Sequence, residues 1–538
     1  MTVVQKETEN LDVVVVGAGF SGLYALYLLR QRGLKVRVLE AGTNVGGTWY
    51  WNRYPGARTD STSDVYQYWF SEELLDEWQW SERFAAQPET ERYLNFVADK
   101  FELRRDIQFR TRVAGAELNA AGDGWLIATE QGERLQAQHL LMCTGPLTQF
   151  VLPDIPGIES FQGEWHHTAR WPREPVSFSD RRVGVIGTGA TGIQVIQTIA
   201  SEVGYLKVFQ RTPTFTLPMK NPRLDPAEQD TRRARYARLK DLVHTTFSGA
   251  EFDFSPGSFY DLDEAEMRQR LEQLWQEGSL AYWVGSFREL FTDEQAATVF
   301  SDFARERIRE RLNDPVLAEK LVPSSYSFGT RRVPLEIGYY EAFNRKNVEL
   351  VDLRETPIVE ITPQGVRTTA EEHELDLMIY ATGFDAGTGA LNHVDIRGRQ
   401  GELLREAWSE GVRAFMGLQV HGFPNLFMVG APLSPAAAFC NVPTCIQQQV
   451  EWIADAIDFM RAEGRRSMEP TAAAEADWVA HHEEIAGGIL VSKSNSWYMG
   501  SNIDGKRRSL LAYAGGVPAY KERCDAVAAG GYAEFALS

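Results

Sequence analysis

One arrangement, present twice, limits what this chain can fold into more than any other feature. Residues 11–16 form a short β-branched run that leads directly into Gly17-Ala18-Gly19-Phe20-Ser21-Gly22 and then a helical pattern through Arg30. Residues 182–186 lead in the same way into Gly187-Thr188-Gly189-Ala190-Thr191-Gly192 and a helical pattern over 193–201. In such a unit the first glycine permits a tight turn, the second lets a pyrophosphate approach the backbone, and the third lets helix pack closely on strand. The helix N-terminus then attracts the phosphate charge. A further strand follows each helix, at 35–39 and at 206–209. The pattern predicts an α/β protein with two Rossmann-type dinucleotide sites, each on its own sheet.

The two units differ where the second strand ends. The first ends on Glu40, a carboxylate suited to an unphosphorylated ribose, so this site suits FAD or NAD. The second carries Gln210-Arg211-Thr212 in the same place, and a basic side chain there suits a 2′-phosphate. That site is expected to take NADP. Gln194, one turn into the second helix, is counted with it.

Two more apolar runs close alike, 139–142 on Cys143-Thr144-Gly145 and 375–380 on Ala381-Thr382-Gly383-Phe384. They are expected to be the returning strands of the two units, which makes the second an insertion in the first. Between about 221 and 323 the texture changes to charged helical segments, as at 264–277 and 302–312, without strand or glycine turn; lid and scaffold both suit such a piece. The expected organisation is therefore a first FAD-binding part over 1–146, a first NADP-binding part over 147–220, and a helical insertion over 221–324. A second NADP-binding part over 325–384 and a second FAD-binding part with tail over 385–538 complete it. Within the last, 425–429 reads as a strand and 446–461 as a helix.

At 538 residues the chain is long enough for several domains and large cofactors. Its net charge of −19 makes nucleic acid and anionic membrane surfaces poor partners. The glycines at 17, 19 and 22 break the uncharged stretch 13–29, so no membrane span is expected. Acidic residues at 7, 9 and 12 do not suit a secretory leader. The four cysteines, at 143, 440, 445 and 524, include no Cys-x-x-Cys pair, which fits a cytoplasmic protein and argues against a flavoprotein reductase that passes electrons to such a disulfide. No metal site is expected.

The segment Phe161-Gln162-Gly163-Glu164-Trp165-His166-His167-Thr168-Ala169-Arg170-Trp171-Pro172 lies just before the second glycine turn. It resembles the Phe-x-Gly-x-x-x-His-x-x-x-Trp-Pro pattern of the Baeyer–Villiger monooxygenases at every fixed position. His167 reads first as a structural histidine, and Phe161, Gly163 and Trp171 as packing. Residues 46–60, which include Gly47, Thr48, Trp49, Tyr50, Trp51 and Asp60, match that family too; the resemblance implies that this stretch, with Tyr66 and Val442, wraps the flavin. In Phe328-Gly329-Thr330-Arg331-Arg332-Val333-Pro334 the family carries Lys-Arg, so Arg332 inherits the catalytic arginine's place and Arg331 replaces a lysine at the 2′-phosphate. Trp497, in Asn495-Ser496-Trp497-Tyr498, inherits contact with the nicotinamide nucleotide.

The resemblance implies NADPH- and O2-dependent conversion of ketones, cyclic ones foremost, to esters or lactones through a peroxide carried on the flavin, with Arg332 and Asp60 as the catalytic pair. Oxidation at sulfur or nitrogen by a related flavin monooxygenase is the alternative enzyme reading, and a nucleotide-binding redox sensor without turnover the alternative from another class. Residues 433–442 are expected to form one wall of the substrate pocket.

Overall fold

The computed structural model describes residues 10–435 and 438–538. Residues 1–9, which carry most of the leader reading, and Ala436 and Ala437 within the expected pocket wall lie outside the described residues.

Among the described residues the larger sheet has eight strands. Its centre is Asn10–Val16, flanked in parallel by Val36–Leu39 on one side and by Arg134–Met142 on the other. Val13, Val14 and Val15 are fully buried, as a strand covered on both faces requires, which is why the sequence there is a continuous β-branched run instead of an alternation. Two strands with no glycine signal, Val113–Leu118 and Trp125–Thr129, extend the sheet antiparallel. Leu426–Met428, from the last third of the chain, pairs in parallel with the same strand that returns at Met142.

The second sheet has, among the described residues, five strands, all parallel, in the order Val348–Asp352, Tyr205–Gln210, Arg182–Ile186, Leu377–Tyr380, Glu164–His167. Both expected returning strands thus pair beside the strand that opens their unit. In chain order the whole second sheet falls between Arg134–Met142 and Leu426–Met428 of the first. Helices Gln229–Thr245, Glu264–Glu277 and Glu294–Arg309 fill the intervening segment, and no strand interrupts them among the described residues. Glu264–Glu277 shows why it starts and stops where it does. Asp263 and Glu266 form a capping box, and Gly278, at φ +69°, ends it in the left-handed conformation.

The buried core divides into two main clusters. One surrounds the first sheet and helix Val442–Ala462; the other joins the second sheet to the insertion helices through Phe215, Trp275, Tyr282, Trp283 and Phe328. The insertion is consequently packed on the second sheet's core and is not a detached appendage. No described helix is long and apolar enough to cross a membrane.

Candidate active site

The two glycine turns are built alike down to their clashes. Gly17 (φ +103°) and Gly187 (φ +108°) each occupy a conformation that a side chain would strain, and a Cβ would come within 2.5 Å of the Cys143 and Ala381 carbonyl oxygens respectively. Those carbonyls belong to the segments that follow the returning strands, so each turn is pinned against its own unit. A Cβ on Gly22 would lie 1.8 Å from the Gly17 oxygen, and one on Gly192 would lie 2.2 Å from the Gly187 oxygen, which is the close helix-on-strand packing. Gly189 faces open space. Helices Phe20–Gln31 and Ala190–Ile199 start without a side-chain cap, so their first N–H groups remain available to an anion.

A cavity of about 630 Å³ opens over the first turn, lined by Gly17, Gly19, Phe20, Glu40, Gly47, Thr48, Trp49, Trp51, Tyr66 and Val442. Glu40 is buried; its two oxygens accept from the Ala18 N–H at 2.7 Å and the Gly42 N–H at 2.6 Å. Burial raises its pKa, and the two backbone donors oppose that rise. Sequence reasoning missed Thr111, Arg112 and Val113, which line the same cavity. They begin an ordinary-looking strand, and only the pairing of Thr111 N–H with the Glu40 carbonyl brings them there.

A larger cavity of about 1200 Å³ lies over the second turn and borders the smaller one, with which it shares Thr48, Trp49, Tyr66 and Val442. Thr188, Gly189, Ala190, Thr191, Gln194, Arg211, Thr212, Arg331, Arg332, Asp60 and Trp497 all line it. The structure therefore gathers at one hollow residues taken from five separated segments. Arg332 Nη2 donates to Asp60 Oδ2 at 2.6 Å, and the guanidinium lies 5.7 Å from the Trp283 ring centre. Burial works against the Arg332 charge, but Asp60 and, after it, Tyr498 hold its pKa above the ordinary arginine value. Arg331 stacks over Tyr326 at 4.2 Å. Neither Arg331 nor Arg211 has a carboxylate within ion-pair reach among the described residues, which leaves two cations without an ion-pair partner on the cavity lining.

Two expected site residues stand differently. Tyr50 lines neither cavity; its hydroxyl accepts from the Thr43 N–H at 2.9 Å and its ring carries the Arg173 guanidinium at 4.4 Å. The cause is helical phase, since Thr48–Trp51 is one short turn and neighbours along it point about 100° apart. Gln194 does line the larger cavity, but its amide is taken by protein, accepting from Tyr54 Oη at 2.9 Å and donating to the Arg58 carbonyl at 3.2 Å. The loop 54–58 is thereby fastened to the second unit's helix. A Cβ on Gly56 would meet the Gln194 carbonyl at 2.4 Å, so the approach tolerates only glycine.

The 161–172 segment lines neither cavity at His167. That ring is 2 % exposed, accepts from the Ala169 N–H at 3.1 Å, and lies 3.3 Å from Thr382 Oγ1 at the end of a returning strand. Burial drives its pKa down to about 4, so it is neutral at pH 7. Gly163 is required because the Phe161 ring lies over it, 2.4 Å from where a Cβ would stand. Arg170 reaches back over the Trp51 ring at 4.5 Å and over Phe150 at 5.2 Å, tying this segment to the first cavity's wall.

The insertion, expected to cover one side of the active site, was not read down to its residues, and these the sequence reasoning missed. Ser248, Ala250, Glu251, Phe252, Trp283 and Val284 come from it and wall the larger cavity. It also missed Cys440 and Cys445, which form a disulfide across the start of helix Val442–Ala462; four residues separate them, so a search for Cys-x-x-Cys passes over the pair. Cys143 and Cys524 are free and buried.

Comparison with known proteins agrees with this geometry. Residues 10–218 match the family described as flavin-binding monooxygenase-like. The chain is 50% identical over 532 residues to the acetone monooxygenase (methyl acetate-forming) of Gordonia sp., covering 99% of this chain and 100% of that one. It is 40% identical over 526 residues to a Baeyer–Villiger monooxygenase of Pseudooceanicola batsensis, covering 97% and 95%. Its structure matches that of OTEMO in complex with FAD and NADP at a TM-score of 0.95 and 40% identity, over 99% of this chain and 100% of that one. With relatives this similar along essentially its whole length, the chain belongs to the Baeyer–Villiger monooxygenase family of flavin-binding monooxygenases.

Proposed function

We propose that this protein is an FAD-containing, NADPH- and O2-dependent monooxygenase that converts ketones to esters or lactones, with the first sheet and its late-returning strand forming the FAD domain and the second sheet an inserted NADP domain. The observation that carries this reading is the Asp60–Arg332 pair, 2.6 Å apart, in a cavity that lies over the second glycine turn and shares wall residues with the cavity over the first.

The residues fit the two cofactors. Gly17 and Gly19 leave the space a pyrophosphate needs, and Glu40 forbids a 2′-phosphate at the first site. At the second, Gly187 and Gly189 do the same, while Arg211, Thr212 and Arg331 offer donors and charge to a 2′-phosphate. Held by these residues, FAD would supply the oxidant from O2, with NADPH as the source of hydride. Arg332 then does what the chain itself must do: it sets a fixed positive charge where the ketone oxygen becomes an anion as its carbon turns tetrahedral. Asp60 holds the guanidinium in that orientation and keeps it charged. Trp49, Tyr66, Trp283 and Trp497 wall the cavity with rings, which exclude bulk water and strengthen that charge.

The test is product analysis: the holoenzyme with NADPH, a ketone and 18O2 should release an ester carrying one labelled oxygen. Oxidation of a sulfide or amine without any ester from a broad ketone panel overturns the reading.

Two further outcomes are expected. Arg211→Ala should lower the kcat/KM preference for NADPH over NADH by about tenfold or more, because a charge-assisted bond to phosphate is lost and NADH makes no such bond. An unchanged ratio assigns the phosphate elsewhere. His167 is expected to brace the crossing between the sheets and to transfer no proton. Its folded pKa of about 4 lies below the ordinary 6.5, so the unfolded chain binds more protons between those values. The stability it contributes is complete above pH 6.5 and is lost as pH falls towards 4, by about 3 kcal/mol in all. His167→Asn should therefore flatten the decline of Tm across that window and leave the pH profile of kcat unmoved. A shifted kcat profile makes His167 a proton carrier.

A further inference from the structure

Among the described residues, the lining of the larger cavity includes one half-buried carboxyl that the reaction does not use. Asp60 is paired with Arg332, and the other carboxylates on the lining, Asp154 and Asp504, are exposed. Glu251 is different. It comes from the insertion, in the turn after helix Gln229–Thr245, and has no lysine, arginine or histidine within ion-pair distance among the described residues. Its carboxylate accepts from Thr62 Oγ1 at 2.9 Å and is also bonded by its own backbone N–H, and Thr62 stands two residues after Asp60. The carboxyl is thus fastened to the loop that carries Asp60, and it stands on the lining of the cavity.

The turn that presents it is held in place. Asn441 N–H donates to the Ser248 carbonyl at 2.7 Å, Thr246 Oγ1 to the Ala250 carbonyl at 2.8 Å, and Thr444 Oγ1 to the Gly249 carbonyl at 3.4 Å. Gly249 at φ +64° makes the bend. Ordering the carboxyl therefore costs a ligand little. Burial raises the Glu251 pKa, opposed by its bonds to its own backbone and to Thr62, while Arg83 is itself paired with Glu277. Protonated, the carboxyl can donate; ionised, it can only accept.

We infer that Glu251 selects the substrate's far end, favouring neutral ketones that carry a hydroxyl group and rejecting ketones that carry a carboxylate or phosphate. A hydroxyl both donates and accepts, so it satisfies the carboxyl in either protonation state. An anionic substituent meets like charge in a half-buried site where water screens it less than at the surface. A methyl in the hydroxyl's place strips water from the carboxyl and returns no bond. This inference rests on the ketone reading proposed above.

The test uses the FAD-loaded enzyme with NADPH, air and three ketones of similar size: 4-hydroxy-2-butanone, its methyl counterpart 2-pentanone, and the anion 4-oxopentanoate, with ester formation giving kcat/KM for each. The parental protein should prefer the hydroxyketone over 2-pentanone by about tenfold or more, the usual value of a hydrogen bond to a charged or buried polar partner, and should scarcely turn over the anion. Glu251→Leu should reverse the first preference. Glu251→Gln, which keeps a donor and an acceptor but no charge, should retain a hydroxyl preference and raise relative turnover of the anion by about tenfold. Ratios within twofold of parental in both variants, each with full flavin content, overturn the role of Glu251. Absence of ester from all three ketones with the parental protein instead sinks the ketone reading beneath it.

Discussion

Arg332→Ala should lose ester formation by 10²–10³-fold or more, with hydrogen peroxide replacing ester as the product of the NADPH that is still consumed. The lower figure is what removal of one oxyanion donor costs. A full charge is removed here, from a cavity where Asp60, side chain 11 % exposed, is left without its partner. Hydride delivery depends on how the nicotinamide is held and should suffer less. The ratio of ester formed to NADPH consumed therefore falls further than NADPH consumption itself. Lysine at 332 should restore only part of the loss, because a point charge cannot grip Asp60 and face the substrate as a planar fork can. Simultaneous assay of NADPH, peroxide and ester decides the matter. Parental ester yield in the alanine variant would show that the positive charge comes from another residue.

Gly22→Ala and Gly192→Ala form the second comparison, since the same atom is added at equivalent places in the two turns. The new Cβ would lie 1.8 Å from the Gly17 oxygen in one and 2.2 Å from the Gly187 oxygen in the other. Both oxygens belong to tight turns whose N–H groups are bonded to the neighbouring strand, at Leu39 and Phe209 respectively, so neither can move aside without opening its sheet. Gly22→Ala should elute from gel filtration colourless or nearly so. Gly192→Ala should stay yellow, with KM for NADPH raised by about tenfold or more, the consequence of overpacking strain of 1–3 kcal/mol. Flavin-to-protein ratio by absorbance, beside NADPH saturation kinetics, separates the two. If both variants lose flavin equally, or Gly22→Ala keeps it, the assignment of one turn to each cofactor fails.

The strand–turn–helix units were legible because everything that makes them is local: a β-branched run, three glycines at fixed offsets, and an apolar helix. Glu40 and Arg211, on which the proposed difference between their ligands rests, were legible for the same reason, since each residue closes a strand whose end must face the turn before it. The helix at 264–277 could be read to the residue because its capping box and terminal glycine are neighbours in sequence. Helix Val442–Ala462 starts four residues before the expected 446, because Pro443 stands in its first turn and belongs there.

Local pattern says nothing about which segments meet. Asp60 and Arg332 are 272 positions apart, and their pairing entered the sequence analysis only through family resemblance. Glu251 and Trp283 look like any acid and any aromatic in a helical insertion. They become cavity wall only because the insertion shares a core with the second sheet, which swings its turns over the Asp60 loop. Tyr50 was drawn to the cofactor with its neighbours and is turned away by the phase of a single helical turn. Cys440 and Cys445 become partners through the geometry of a helix start. By itself the sequence determined two nucleotide-binding units and the sign of charge each offers its ligand, because these depend on residues a few positions apart. The composition of the hollow between them was decided by the tertiary structure alone, because it depends on packing between segments hundreds of residues apart, which no local spacing records.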